Sequence, residues 1–134
     1  TGGNKITHND LQDGYFIEPT IFGNVYSDMR IAREEIFGPV LSIITVEDIE
    51  EAISVSNNIK FGLSSSIYTN NLNHAMTFIE KTEVGLTHVN LMTSLKEPQL
   101  PFGGIKESGV GLPEAGKTGI EFFLKYKTVY MKYI

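Results

Sequence analysis

Two short stretches of this 134-residue sequence combine residue types that can act on a small ligand. The first is Arg33-Glu34-Glu35-Ile36-Phe37-Gly38-Pro39-Val40, which sets a carboxylate, Glu35, and a ring, Phe37, close together where a helix gives way to a buried strand. A carboxylate there can accept hydrogen bonds from paired hydroxyls, and a ring there can lie against a flat ligand. Residue type alone reads the same letters more plainly, as an acidic helix end followed by a core phenylalanine. The second stretch is Glu97-Pro98-Gln99-Leu100-Pro101-Phe102-Gly103-Gly104-Ile105-Lys106-Glu107-Ser108-Gly109. Tandem glycines beside Phe102 let backbone approach a ligand or another chain closely. The plain alternative is a glycine-rich surface loop.

Other residues offer less. His8, His74 and His88 are scattered without metal-ligand spacing, and each reads as a surface residue or a satisfied structural one. Glu47, Asp48, Glu50 and Glu51 read as a solvated helix face. Cysteine is absent, which excludes disulfides, thiolate metal sites and a cysteine nucleophile within these residues. Sixteen acidic against eleven basic residues leave a net charge of −5, which argues against nucleic acid as the partner. No apolar run is long enough for a membrane span, and no signal-peptide pattern is present. Together with the lack of cysteine this is compatible with the cytoplasm. The first residue is Thr1, which raises the expectation of further chain upstream.

The elements that must carry these residues follow from the apolar pattern. With 41% apolar and 20% charged residues the chain can bury a core. Residues 14–25 read as extended segments broken at Pro19 and Gly23. Residues 27–35 read as a short helix capped by Ser27 or Asp28, with a turn at Gly38-Pro39. Val40 to Val46 reads as a strand buried on both faces. Thr45 and Asp48 have capping-box spacing before a helix with Ile49, Ala52, Ile53 and Ser56 on one stripe. Leu63 to Thr69 is a second strand. Asn70-Asn71 is a cap signal for a helix with Leu72, Ala75, Met76 and Ile79 inward, and Leu86 to Asn90 is a third strand. Strand–helix alternation predicts an α/β fold with a mostly parallel sheet. Residues 91–111 form a long functional-loop candidate. Pro113 and Glu114 open a final helix, and Lys125 to Ile134 reads as a C-terminal edge strand.

Taken together and in this order, GYFIEPTIF (14–22), REEIFGPV (33–40), FGLSSSIYT (61–69), Gly85 to Asn90 and PFGGIKESG (101–109) resemble the NAD(P)-dependent aldehyde dehydrogenase family. The resemblance covers essentially the whole chain. It implies the C-terminal part of the catalytic domain over residues 1–124 and an oligomerisation strand over 125–134. It implies oxidation of an aldehyde to an acid with NAD or NADP, and a homo-oligomer. Glu35 would bind the nicotinamide ribose hydroxyls, Phe37 would pack beside the nicotinamide, and Phe102 would line the aldehyde pocket. Asn90 and Lys106 would hold loops in place. The family's catalytic cysteine, general-base glutamate and cofactor domain lie upstream in its members, so no catalytic residue is expected here and the fragment alone is expected to be inactive. Where many members carry an Arg-Glu pair, this chain has Leu112-Pro113, so no proton-relay role is carried over, to Glu114 or otherwise. Glu97-Pro98-Gln99 before the glycine motif resembles the subgroup acting on 2,5-dioxopentanoate. Two other readings stand beside this one. In one, the chain is a non-catalytic association module built on the terminal strand; in the other, it is a free-standing α/β ligand-binding domain.

Overall fold

Pro19 cannot donate a ladder hydrogen bond, and the first strand begins directly after it. In the computed structural model, which describes all residues except His8 and Gln12, β1 (Thr20–Phe22) pairs in parallel with β2 (Val40–Ser42), Thr20 opposite Val40. The expectation attached to His8 lies outside the described residues. The chain divides into two units, Thr1–Val55 and Ser56–Ile134.

In the first unit, residues 4–6 run antiparallel to 16–18. The Ile6 N–H donates to the Phe16 carbonyl, and the Glu18 N–H to that of Asn4, both at 3.0 Å. A 3-10 turn spans Asn9–Leu11. The short helix α1 covers only Arg30–Arg33, without the expected side-chain cap from Ser27 or Asp28. The Met29 N–H donates to the Tyr26 carbonyl, so a turn occupies the residues that were to be the first helical turn. The strand expected over 40–46 is shorter, and its burial is one-sided, with Leu41 and Ile43 exposed. Helix α2 (Ile49–Asn57) buries Ile53 on the predicted stripe. Its cap is Asp48, not Thr45. The Asp48 carboxylate accepts from the Glu51 N–H at 2.8 Å, and the Glu51 carboxylate accepts from the Glu47 N–H at 2.7 Å.

In the second unit, β3 (Phe61–Gly62) pairs antiparallel with β6 (Ile105–Lys106), and β4 (Ser64–Ile67) pairs in parallel with β5 (Leu86–Val89). Helix α3 (Leu72–Lys81) lies between β4 and β5 in sequence, giving the expected strand–helix–strand order. Asn71 caps it, its side chain accepting from the Asn73 and His74 N–H groups. The buried line is Ala75 and Phe78, so the inward face is turned from the predicted stripe, and Leu72 stays 74% exposed. Among the described residues, two of the three ladders, β1–β2 in the first unit and β4–β5 in the second, are parallel.

Two glycines are required by close approach. A Cβ on Gly85 would collide with the Gly103 carbonyl, so the start of β5 fits against the glycine motif only without a side chain. Gly116 has φ +54°, and its Cβ would meet the Gln99 carbonyl oxygen at 2.5 Å. It opens α4 (Gly116–Phe122). Pro113 and Glu114 do not belong to that helix, because Glu114 pairs with Phe102 instead. The expected edge strand over 125–134 carries no ladder. A strand needs a partner, and among the described residues none pairs with it.

Candidate functional site

The Glu35–Phe37 stretch leaves α1 abruptly. Glu34 is already extended, and its N–H closes the helix on the Arg30 carbonyl at 2.9 Å. The flanking charges are spent locally. Arg30 pairs with Glu34 at 2.7 Å across one turn, and the Arg33 guanidinium donates to the Ser27 carbonyl at 2.8 Å. Glu35 has no hydrogen-bond or ion-pair partner among the described residues and is exposed. Phe37 follows with φ +53° and its side chain 94% exposed. A left-handed backbone costs a residue with a Cβ about 1–2 kcal/mol, so this ring is presented outward against a local preference. The loop is tied beyond it, where the Thr20 N–H of β1 donates to the Pro39 carbonyl at 2.8 Å. The arrangement offers, two residues apart in the chain, an acceptor for hydroxyls that donate and an open ring for a flat heterocycle to lie against. Phe37 is the more exposed of Ile36 and Phe37, so within the described residues nothing buries it as the plainer core reading expects.

Phe102 belongs to the second unit. Its N–H donates to the Glu114 carbonyl at 2.7 Å and its carbonyl accepts from the Glu114 N–H at 2.8 Å. The half-buried ring lines a cleft of about 630 Å³ with Leu86, Leu91, Leu95, Leu100 and Lys96, and the Lys96 ammonium lies 5.2 Å from its centroid.

Asn90 and Lys106 hold loops. The Asn90 side chain both accepts from the Thr69 N–H (2.9 Å) and donates to the Thr69 carbonyl (3.0 Å), from a backbone at φ +56°. The Lys106 ammonium donates to the Asn57 and Ile59 carbonyls at 2.7 and 3.3 Å and pairs with Glu83 at 2.8 Å.

A polar clasp goes unread in the sequence. Ser64 and Ser66 share a face of β4, and His88 sits opposite Ser66 on β5. Ser66 donates to the Leu91 carbonyl at 2.6 Å, and Ser64 to that of Thr93 at 2.8 Å. The His88 ring nitrogens lie 3.0 Å from the Leu95 carbonyl and 3.1 Å from that of Ser65. Alternate carbonyls of the segment leading to Phe102 are thereby pinned to the sheet. His88 is 8% exposed, a satisfied structural residue, whereas His74 is exposed. No signal in the letters marks it, since Ser64, Ser65 and Ser66 simply run on. No cluster able to hold a metal occurs among the described residues.

From the sequence no phosphate-cradling Walker loop is expected, yet the letters of residues 111–118, GLPEAGKT, fit G-x4-G-K-T. The structure does not build such a cradle. The Glu114 amide is spent on Phe102, the Gly116 amide on the Pro98 carbonyl, and Lys117 on Glu121.

Comparison with known families matches residues 1–129 to the one described as the aldehyde dehydrogenase family. The chain is 45% identical over 131 residues to the alpha-ketoglutaric semialdehyde dehydrogenase of Bacillus subtilis strain 168, covering 98% of this chain and 27% of that protein. It is 45% identical over 130 residues to the 2,5-dioxopentanoate dehydrogenase of Saccharolobus solfataricus, covering 96% and 26%. Betaine aldehyde dehydrogenase of Staphylococcus aureus in complex with NAD+ superposes with a TM-score of 0.85 at 35% identity, over 92% of this chain and 24% of that one. The chain thus spans about a quarter of the length of these relatives.

Proposed function

The chain belongs to the aldehyde dehydrogenase family, and from that premise we propose that it is the C-terminal segment of an enzyme that oxidises an aldehyde to a carboxylic acid with NAD or NADP. The observation that carries the reading is the pairing of Glu35, without a partner among the described residues, with the outward, left-handed Phe37. Glu35 accepts hydrogen bonds from the ribose hydroxyls and Phe37 walls the nicotinamide. The cofactor, when bound, supplies the hydride acceptor. Phe102 and the apolar side of its cleft wall the aldehyde and keep water from it. The nucleophilic thiol must come from elsewhere, because the 134 residues contain no cysteine. Residues 1–124 contribute to the catalytic domain.

The names of two relatives point to 2,5-dioxopentanoate as the aldehyde, and Glu97-Pro98-Gln99 agrees with that subgroup. Among the described residues no helix is long and apolar enough to cross a membrane, and the enzyme is assigned to the cytoplasm.

The test is Glu35→Gln in the full-length protein. Exchanging a charged acceptor for a neutral one costs about 1–2 kcal/mol, a roughly 5- to 30-fold weaker hold on the cofactor with slower hydride transfer. Unchanged steady-state and single-turnover kinetics would refute the role. The isolated 134-residue chain should form no NADH from any aldehyde, and turnover by it would refute the assignment of the thiol.

A second reading, of association, is favoured by the unpaired segment 125–134, whose Tyr126, Tyr130 and Tyr133 are exposed. It extends a partner copy's sheet and makes a homo-oligomer. Deleting 125–134 should lower the mass found by light scattering, and an unchanged mass would remove this idea.

A further inference from the structure

The cleft beside Phe102 carries one lysine, Lys96, among the described residues that line it. Of the other lysines of this unit, Lys60, Lys106 and Lys117 are spent on Glu107, Glu83 and Glu121, and Lys81, Lys125, Lys127 and Lys132, without an ion pair among the described residues, do not line this cleft. Lys96 has no carboxylate within ion-pair distance among the described residues. Glu97, its neighbour in sequence and in the cleft, accepts instead from the Gln99 amide at 3.4 Å. The Lys96 ammonium is held over the Phe102 ring at 5.2 Å, an attraction that leaves its N–H donors unpaired. Nor does Lys96 ride on a loose loop. The carbonyl of the preceding Leu95 is gripped by the buried His88, and those of Thr93 and Leu91 by Ser64 and Ser66. A cation placed in advance beside apolar walls is a recognition element for a single negative charge attached to a short apolar body.

We infer that Lys96 reads the carboxylate of the substrate, which is a short oxo acid held in the cleft that Phe102 lines. This rests on the aldehyde-oxidising function proposed above. Lys96 is thereby a specificity-determining residue. An aldehyde that ends in a methyl group meets the same apolar walls but leaves the ammonium without a counter-charge.

The experiment uses the full-length protein and two aldehydes of equal carbon count, 2,5-dioxopentanoate and pentanal. Wild type, Lys96→Met and Lys96→Arg are compared by kcat/KM for each. The preference for the acid should fall by about tenfold or more in Lys96→Met, through KM rather than kcat, and be largely kept in Lys96→Arg. Added salt should erode the wild-type preference and leave that of Lys96→Met unaltered. An unaltered preference in Lys96→Met, with pentanal still oxidised, overturns the inference alone. So does a fall that Lys96→Arg fails to relieve and salt does not mimic, which marks a packing role. A wild-type protein that oxidises neither aldehyde overturns the proposed function and this inference together.

Discussion

Replacing Lys106 by Met keeps the length and the apolar stem of the side chain and deletes all of its polar contacts. The ammonium is mostly buried, its side chain 21% exposed, and it serves two main-chain carbonyls, of Asn57 at 2.7 Å and Ile59 at 3.3 Å, besides the Glu83 carboxylate at 2.8 Å. The three contacts are unequal. Glu83 is 57% exposed, so its ion pair is screened and contributes at most about 1 kcal/mol. A hydrogen bond from a charged donor to a half-buried carbonyl is worth about 1.5–3 kcal/mol, with the 3.3 Å contact at the weak end. The expected local destabilisation is therefore about 2–4 kcal/mol, most of it from the carbonyls. Hydrogen exchange reads it where it acts. The amides of Gly62 and Glu107, which bond across this junction to the Ser108 hydroxyl and the Lys60 carbonyl, should lose protection by about 30- to 900-fold. Strong salt should change the difference by less than about threefold, because screening touches only the pair with Glu83. A loss under about fivefold, or one that strong salt abolishes in the wild type as well, would mean that the exposed ion pair matters and the carbonyl clamp does not.

Other perturbations follow from the same geometry. Gly85→Ala forces a methyl group into the Gly103 carbonyl and should lower the thermal midpoint sharply. Gly23→Ala, with open space around its Cβ and no positive φ, should stay within about 0.5 kcal/mol of wild type, and equal effects would refute the close-approach account. Phe37→Gly relieves about 1–2 kcal/mol of left-handed strain and adds about 0.5–1 kcal/mol of chain entropy cost, so stability should hold or rise slightly while turnover falls. A thermal midpoint clearly below wild type would show that the ring is structural. His88→Phe removes the ring nitrogens that face the Leu95 and Ser65 carbonyls and should make residues 91–100 sensitive to limited proteolysis. An unchanged digestion pattern would refute the clasp.

What was legible in the sequence was mostly local. The Asn71 cap, the turn at Gly38-Pro39 and the β4–α3–β5 order are written in a few neighbouring residues each, and the structure has them. The α2 cap was misread by one box. Thr45 and Asp48 have the spacing, but so do Asp48 and Glu51, and the carboxylate beside the helix start is the better acceptor. The β3–β6 ladder was invisible because two residues on each side, far apart in the chain, leave no period to detect. The clasp was invisible for another reason. Its donors are side chains, but its acceptors are carbonyls, which every residue has. For the candidate site, the neighbouring positions of Glu35 and Phe37 could be read directly, whereas nothing in the letters marks a phenylalanine as left-handed. The terminal strand is read from alternation, from its Tyr and Lys content and from a resemblance to the family's oligomerisation strand, and none of these supplies a partner within the described residues.

The failures of predicted burial have a direction. Leu41 on β2 and Ile43 just after it are placed inward by their continuous apolar run, and Leu72, Met76 and Ile79 on α3 by their period, and all are exposed. The accessible area of the chain is 11001 Å², whereas a compact monomer of 14.9 kDa exposes about 7,000 Å² and two separate bodies of these lengths about 8,400 Å². A period selects residues for a buried environment; it does not guarantee that the same stretch of chain provides it. The mismatch touches some elements, since α1 and β2 are shorter than their patterns and 125–134 pairs with nothing among the described residues. Yet α2, β4, α3 and β5 form where the pattern puts them, while the apolar faces of β2 and α3 need a second surface. That is the signature expected if the segment folds as part of a larger catalytic domain, and it makes those two faces the first place where added chain should reduce solvent access.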